Sequence, residues 1–158
     1  MSKKHVMFIA STGGHLEELL QLSPMFDRYD YQLITEKTKS NLFLKEKYKG
    51  KVFYLVYGTK HHFLTYPFKL LWNCFKSLFY YLQFSPDYII TTGTHTAGPM
   101  CCIGKIFGSK VIYIETFANM VTKTSTGRLI YPISDKFIVQ WDSMKKLYPK
   151  ADVGGWIF

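Results

Sequence analysis

Short apolar runs of strand length alternate with segments of helical spacing along almost the whole chain. The strand-length runs are Val6 to Ala10, Tyr31 to Thr35, Val52 to Val56, Tyr88 to Thr92, Val111 to Glu115 and Phe137 to Gln140. The helical segments are His15 to Leu22, Leu42 to Tyr48, Ala97 to Phe107 and Gly127 to Tyr131. This alternation predicts an α/β fold, a Rossmann-like doubly wound parallel sheet with helices on both faces. At 158 residues the chain has the size of one domain, so we expect a single domain over residues 1–158.

The chain is basic, with a formal net charge of +9. This charge predicts an anionic partner, and nucleic acids, acidic membrane surfaces and phosphorylated substrates are the three alternatives. Many of the lysines lie between Lys37 and Lys60, where a solvated face without a partner is an equally good interpretation. The cysteines Cys74, Cys101 and Cys102 have neither disulfide nor metal-ligand spacing and fit a reducing cytoplasm. We expect no metal ion, no cofactor and no secretory signal.

One aromatic segment, Phe63 to Phe84, departs from the alternating pattern. On a helix, its polar residues form one stripe and its apolar residues form the opposite face. Lysines interrupt it too often for a membrane-spanning helix, which needs about 20 nearly uncharged residues. We therefore expect an amphipathic helix at about 63–84 lying on an anionic membrane surface, whereas a core helix with its apolar face on the sheet is the alternative. The expected membrane contacts are Phe68, Lys69, Leu71, Trp72, Phe75, Lys76 and Phe79.

The loop after the first predicted strand reads Ser11-Thr12-Gly13-Gly14-His15 and leads directly into a helical pattern. Two glycines allow a ligand to approach the backbone, and free amides at a helix start favour a phosphate or diphosphate. We expect Gly14 to adopt a positive φ that valine would resist. The imidazole of His15 is suited to bind a phosphate or to act as a general base. A plain tight turn is the alternative, because the loop lacks a full phosphate-binding motif.

Two further predicted strands also end in polar loops. The loop Gly93 to Pro99 gathers glycines, hydroxyls and histidine, and Glu115 opens a loop that ends near a helix start capped by Ser or Thr. Ligands of doubly wound sheets bind at this edge. Glu115 and His15 are candidate catalytic groups, although a solvated carboxylate is the alternative for Glu115. The candidate substrate-binding residues are Ser11, Thr12, Gly13, Gly14, His15, Thr94, His95, Thr96, Ser125, Thr126 and Gly127.

Several catalytic motifs are missing from the sequence. It contains no Asp-x-Asp pair for a metal-bound nucleotide sugar, no Gly-x-Ser-x-Gly elbow and no Cys/His metal cluster. It also contains no recognisable nucleic-acid-binding module. Metal-dependent transfer by this chain alone is therefore poorly supported, and we expect no nucleic-acid partner.

Four segments carry a family resemblance that covers nearly the whole chain. They are Ser-Thr-Gly-Gly-His-Leu-Glu-Glu-Leu at 11–19, Tyr-Ile-Glu-Thr at 113–116, Ser-Thr-Gly-Arg-Leu-Ile-Tyr-Pro at 125–132 and Phe-Ile-Val-Gln-Trp at 137–141. In them the chain resembles the accessory-subunit family of split glycosyltransferases. That family includes capsule and exopolysaccharide enhancer proteins of Gram-positive bacteria and the membrane-recruiting subunit of the eukaryotic dolichol-linked N-acetylglucosaminyltransferase.

The chain is more distantly similar to the amino-terminal half of the GT-B enzyme that adds N-acetylglucosamine to the peptidoglycan lipid precursor. In that enzyme a Gly-Gly-His loop faces the lipid diphosphate, a Gly-rich loop resembles Gly93 to Pro99, and a strand-end Glu resembles Glu115. Its His-Glu-Gln-Asn run is replaced here by Ile114-Glu115-Thr116-Phe117, so only the Glu carries over.

The resemblance implies an acceptor-binding, membrane-associating subunit with a separate donor-binding partner. In the capsule branch, the reaction is typically transfer of galactose from a UDP donor to a glucosyl polyprenyl-diphosphate lipid. Such a subunit would lie peripherally at the cytoplasmic face of the cell membrane and have little activity alone. Two other functions compete with it: a self-sufficient glycosyltransferase acting as a homo-oligomer, and a non-enzymatic nucleotide- or nucleic-acid-binding module.

The last residues, Trp156, Ile157 and Phe158, follow two glycines and are strongly apolar. Termini of soluble proteins usually fray into solvent with polar residues, so an apolar end predicts a covering surface. We expect these three residues to dock the partner subunit, because aromatic side chains are frequent interface anchors. Packing into the core of the same domain is the alternative.

Overall fold

The computed structural model describes residues 2–58 and 65–157. Its strands are β1 (His5–Ile9), β2 (Asp30–Glu36), β3 (Val52–Leu55), β4 (Tyr88–Thr91), β5 (Lys110–Ile114), β6 (Lys136–Val139) and β7 (Asp152–Val153). Its α-helices are α1 (Gly14–Leu20), α2 (Leu44–Lys47), α3 (Tyr66–Phe84), α4 (Ala97–Ile106) and α5 (Ser125–Ile130). Short 3-10 helices cover Ser23–Arg28, Lys39–Asn41 and Asp142–Lys146.

The strands form one parallel sheet in the order β3-β2-β1-β4-β5-β6-β7. The chain winds outward from β1 to β3, returns to β4 beside β1, and then winds outward in the other direction. This confirms the predicted doubly wound α/β fold, and each of the six predicted strands is present within one residue of its expected ends. The short edge strand β7 was not predicted.

The central strands are apolar on both faces because both faces of the sheet are covered. In β1, Met7 and Ile9 pack into one core layer, whereas Val6 and Phe8 pack into the other. The continuous apolar runs in the sequence are therefore the expected signature of buried parallel strands, and their carboxyl ends are aligned at one edge of the sheet.

Helix α3 turns polar side chains toward the protein and its aromatic face outward. The buried side-chain amide of Asn73 donates to the carbonyl of Val56 and accepts from the amide of Val56, both at 2.8 Å. The hydroxyl of the buried Tyr81 lies 2.8 Å from the hydroxyl of Ser109. The alternative of a core helix with its apolar face on the sheet is therefore wrong. The exposed large apolar residues of α3 are Phe68, Leu71, Trp72, Phe75, Phe79 and Leu82.

The first residue of α3 and the contacts of Lys76 differ from the sequence-based expectation. The helix begins at Tyr66, whereas Phe63 lies outside the described residues. Lys76 was expected at a membrane surface, but its ammonium donates to the carbonyl of Tyr54 and lies over the ring of Tyr80. These contacts hold Lys76 on the side of α3 that packs near β3. No helix in residues 2–58 or 65–157 is long and apolar enough to cross a membrane.

Candidate functional site

Three loops converge at the carboxyl edge of the sheet. They follow β1, β4 and β5, which are neighbours in the sheet. The chain changes winding direction between β1 and β4, and doubly wound sheets bind ligands in the crevice at such a switch point. The candidate residues of the sequence analysis therefore lie where this fold forms its binding sites.

The first loop presents an exposed glycine turn. Gly13 has a φ of +75°, and its carbonyl accepts hydrogen bonds from the amides of Leu16 and Glu17 at the start of α1. A side chain added at Gly13 or Gly14 would meet no atom within 4 Å among the described residues. The positive φ belongs to Gly13, so the expectation that Gly14 adopts it is wrong. Open space beside both backbones leaves room for a ligand to approach.

Ser11 and Thr12 form internal contacts beside this turn. Ser11 is buried, its hydroxyl donates to the carbonyl of Thr12 at 3.2 Å, and its own carbonyl accepts from Thr35 at 3.1 Å. The hydroxyl of Thr12 lies 3.4 Å from that of Thr38. The side chains of Ser11 and Thr12 thus shape the loop, whereas the glycines form its open surface.

His15 connects the first loop to the second. Its Nδ1 lies 2.8 Å from the carbonyl oxygen of Thr92, and the hydroxyl of Thr92 donates back to the carbonyl of His15 at 2.6 Å. Because a carbonyl only accepts, Nδ1 must carry a proton in this bond. The Nε2 atom of a neutral His15 is then an acceptor, and it has no hydrogen-bond partner in the part of the chain that the structure describes.

The three predicted site residues of the second loop, Thr94, His95 and Thr96, have different surroundings. Thr96 is buried and donates to the carboxylate of Glu36 at 2.7 Å, so its hydroxyl is already used within the protein. The Nε2 atom of His95 lies 3.3 Å from the carbonyl oxygen of Gly58. The hydroxyl oxygen of Thr94 is buried and has no hydrogen-bond partner among the described residues.

Glu115 is enclosed at the start of the third loop, with 1% of its surface exposed. Its two carboxylate oxygens accept hydrogen bonds from Thr124, Tyr148 and the amide of Thr116, at 3.1 to 3.2 Å. Burial raises the pKa of Glu115, although these hydrogen bonds oppose the change. The solvated alternative for Glu115 is therefore wrong. The contacts favour a carboxylate that positions the third loop over one that reaches a substrate directly.

The start of α5 is packed against this carboxylate. Thr124 caps the helix by accepting from the amide of Gly127 at 2.9 Å, which confirms the predicted Ser/Thr cap. A side-chain carbon at Gly127 would lie within 2.4 to 2.7 Å of Tyr148, Glu115 and Thr124. Gly127 is thus required for close packing, Thr126 is buried, and Ser125 is exposed.

Two carboxylates that the sequence analysis did not select hold the loops together. Glu18 on α1 accepts from the hydroxyl of Thr116 at 2.6 Å and from the amide of Phe117 at 3.0 Å, which connects the first and third loops. Glu36, the last residue of β2, connects β2 to the second loop through Thr96. Glu18 lies in the 11–19 segment, and Glu36 directly follows a predicted strand. Their positions in the sequence could therefore have marked both residues as candidates, but do not reveal their hydrogen-bond partners.

The described part of the carboxyl-terminal tail divides between core and surface. The side chain of Ile157 packs against the core layer that contains Val6 and Phe8. Trp156 is 75% exposed, and its ring contacts those of Phe117 and Trp141 at 5.7 and 6.2 Å. Phe158 lies outside the described residues.

No group of three or more His, Cys, Asp or Glu side chains in residues 2–58 and 65–157 is arranged to hold a metal ion. Within the same residues Cys74, Cys101 and Cys102 are free thiols. The site chemistry available from the described residues consists of an open glycine turn, the imidazole of His15 and a network of hydroxyls and carboxylates around them.

Solved structures share this fold. MurG of Acinetobacter baumannii superposes with a TM-score of 0.71 at 22% identity, covering 89% of this chain and 42% of MurG. A UDP-GlcNAc 2-epimerase of Methanocaldococcus jannaschii superposes with a TM-score of 0.70 at 12% identity, covering 92% of this chain and 42% of the epimerase. The chain therefore has the Rossmann-like fold of a region that makes up less than half of each of these proteins.

Sequence comparison identifies closer relatives. The UDP-N-acetylglucosamine transferase subunit alg14 of Schizosaccharomyces pombe is 27% identical over 174 residues, covering 97% of this chain and 83% of the relative. The subunit ALG14 of Mus musculus is 25% identical over 172 residues, covering 92% and 79%. The family described as "Oligosaccharide biosynthesis protein Alg14 like" matches residues 6–157. The chain belongs to the Alg14-like family of oligosaccharide biosynthesis proteins.

Proposed function

We propose that this chain is the acceptor-binding, membrane-associating subunit of a heteromeric glycosyltransferase. Its relatives in Schizosaccharomyces pombe and Mus musculus are named as transferase subunits, which supports a subunit role. The observation that carries the acceptor role is the open Gly13–Gly14 turn at the switch point, joined through His15 to the second loop.

The acceptor in this proposal is a sugar linked to a polyprenyl diphosphate. Gly13 and Gly14 expose backbone without a covering side chain, so diphosphate oxygens can approach the amides there. The imidazole of His15 lies directly beside this turn, and Nε2 is the ring atom left for substrate. In the neutral ring Nε2 can accept the proton of an attacking sugar hydroxyl, which makes His15 the favoured general base.

Glu115 supports this chemistry indirectly. Its carboxylate fixes Thr124 and Tyr148, and the carbonyl of Glu115 accepts from the side chain of Gln140 at 3.0 Å. We therefore assign Glu115 a positioning role, with Ser125 at the exposed start of α5 available to a ligand. Holding acceptor and donor in register can by itself remove several kcal/mol from a reaction barrier.

The outer face of α3 is the proposed membrane contact. Phe68, Trp72, Phe75 and Phe79 are each at least 58% exposed, which is unusual for four aromatic residues of one helix. Aromatic side chains partition into the interfacial region of a bilayer, and the net charge of +9 favours an anionic leaflet. The chain would then lie peripherally on the cytoplasmic face, where the lipid-linked acceptor is presented.

The nucleotide-sugar donor would be bound by a separate partner subunit. The capsule resemblance favours UDP-galactose and a glucosyl lipid in capsule or exopolysaccharide synthesis. The names of the curated relatives instead favour UDP-N-acetylglucosamine for those proteins. A reaction with each labelled donor separates the two, because the acceptor site described above does not depend on which donor the partner binds.

Reconstitution tests the proposed function. The purified chain, its partner, a labelled UDP-sugar and a polyprenyl-diphosphate acceptor are combined, and each protein is omitted in turn. We expect product only when both proteins are present. Turnover by this chain alone would instead support a self-sufficient glycosyltransferase, and salt-sensitive binding of nucleic acid without sugar transfer would support a non-enzymatic module.

A further inference from the structure

A groove of about 370 Å³ lies beside the candidate site, between α3, α4 and α5. Its apolar lining includes Leu70 from α3 and Leu129 from α5, and Cys74 and Cys102 also line it. Its polar lining includes His95 and Ser125. Neither the diphosphate site nor the outer face of α3 includes this groove.

The direction of the groove follows from the fold. Helices α3, α4 and α5 are crossover helices of a parallel sheet, so each runs back from the carboxyl edge toward the amino edge. Ser125 begins α5 and His95 lies two residues before the start of α4 at Ala97, so both lie at the carboxyl edge. Cys74 and Cys102 lie further along their helices. The groove therefore begins near the candidate site and becomes more apolar away from it.

The polar end of the groove adjoins the loops that form the diphosphate site. His95 belongs to the loop after β4, and Thr92 at the start of that loop is hydrogen-bonded to His15 in both directions. The apolar end is lined by α3, the same helix that carries the exposed aromatic face. A ligand that lies in the groove would thus connect the diphosphate site to the membrane-facing helix.

We propose that this groove binds the first isoprene units of the lipid-linked acceptor. A polyprenyl diphosphate has the matching order of chemistry, with a charged head joined directly to a linear chain of apolar, methyl-branched units. The volume is typical of a small-molecule pocket and too small for a docked protein element. Occupation by the lipid would also fix the distance between the membrane surface and the diphosphate.

The thiols lining the groove provide a direct readout. The test measures alkylation of Cys74 and Cys102 in the full chain by mass spectrometry, with farnesyl diphosphate, geranyl diphosphate or inorganic pyrophosphate present. Burial raises the pKa of both thiols, so the reaction is run at about pH 9 to obtain enough thiolate. Cys101 is fully buried next to Cys102 and serves as an internal control for unfolding.

We expect farnesyl diphosphate to slow alkylation of Cys74 and Cys102 and pyrophosphate to leave it unchanged. The half-protecting concentration should fall by about tenfold or more from geranyl to farnesyl diphosphate, because one more apolar unit is buried. Unchanged alkylation with saturating farnesyl diphosphate would overturn the proposal. Equal protection by oleate at the same concentration would also overturn it, because the groove would then accept any hydrocarbon chain.

A variant with a larger side chain in the groove gives an independent test. Cys102→Phe should weaken binding of farnesyl diphosphate by about tenfold and leave binding of pyrophosphate unchanged. Ile106→Phe is the matched control, since Ile106 lies one turn further along α4 and is exposed. Equal affinities of the two variants for farnesyl diphosphate would contradict the proposal. If Cys102→Phe lowers the melting temperature, the wild-type alkylation experiment decides.

The groove assignment rests on the proposed acceptor role, and the two fail in different experiments. Absence of sugar transfer by the reconstituted pair would remove the function. The pair could instead transfer sugar equally well to geranyl- and farnesyl-linked acceptors while the thiols stay unprotected. That result would reject the groove assignment and leave the acceptor role standing.

Discussion

The ring nitrogen Nδ1 of His15 lies 2.8 Å from the carbonyl oxygen of Thr92, and this bond joins the loops after the two strands of the switch point. It requires a proton on Nδ1 and leaves Nε2 as the acceptor in a neutral ring. The contact therefore fixes both the orientation and the tautomer of the candidate base.

His15→Ala should lower kcat of the reconstituted pair by about 10²- to 10⁴-fold if His15 is the general base. Thr92→Val is the matched control, because it removes a hydroxyl bond to His15 but retains the carbonyl that orients the ring. An unchanged kcat in His15→Ala would assign the base to another residue.

Replacement of Trp72, Phe75 and Phe79 by serine should release the chain from anionic liposomes in a flotation assay. Each side chain is about 60% exposed, so the melting temperature should change little. Ile106→Ser, on α4, removes an exposed apolar side chain elsewhere and should retain binding. Retained flotation of the triple variant, or wild-type protein that never floats, would show that this face has another role.

The tail residues Trp156 and Ile157 should respond differently to alanine. Ile157→Ala removes a side chain packed on the core and should lower stability by about 1 to 3 kcal/mol in a denaturant titration. Trp156→Ala should retain stability but weaken capture of the partner by about 2 kcal/mol or more if the exposed ring is an interface anchor. Normal capture by Trp156→Ala would move the partner interface elsewhere.

Asp135 should contribute to stability in an acid-sensitive way. Burial alone would raise its pKa, but hydrogen bonds from the amide of Val111 and the ammonium groups of Lys105 and Lys110 outweigh burial and lower the pKa to about 2. A lowered folded-state pKa stabilises the protein above the ordinary pKa of 3.8 and loses this effect as pH falls toward 2.

Asp135→Asn should therefore destabilise the protein by about 1 to 2 kcal/mol at pH 7 and by much less near pH 2. Urea titrations of both proteins at the two pH values measure this difference. Asp142→Asn is the control, because Asp142 also lies beyond β5 but forms no ion pair among the described residues. Equal destabilisation by Asp135→Asn at both pH values would contradict the assignment.

The fold and the placement of the candidate loops at one edge of the sheet could be predicted from the sequence, because buried parallel strands give continuous apolar runs and their carboxyl ends align. For α3 the sequence favoured an outward aromatic face, which the structure has, but it left the opposite orientation open. A polar stripe reads as a solvated face, yet Asn73 satisfies both backbone groups of Val56 at the sheet side. That partner lies 17 positions away, so the periodicity of the helix does not reveal it.

The roles of individual carboxylates could not be predicted from the sequence either. Glu115 reads as a strand-end residue, and only the packing of Tyr148 and Gly127 shows that it is enclosed. The partner of Glu18 is 98 positions away at Thr116. Local patterns predict which residues reach the sheet edge, whereas their hydrogen-bond partners depend on how distant loops meet there.

The most direct test of the central claim is equilibrium binding by the isolated chain, measured separately for a polyprenyl-diphosphate sugar and for a UDP-sugar. The account predicts that the chain binds the acceptor and does not measurably bind the donor. Gly14→Val should weaken acceptor binding by about tenfold or more without lowering the melting temperature, because the side chain blocks the open turn and its Cβ meets no atom of the described residues within 4 Å. Tight binding of the UDP-sugar together with no binding of the acceptor would contradict the assignment of this chain to the acceptor side.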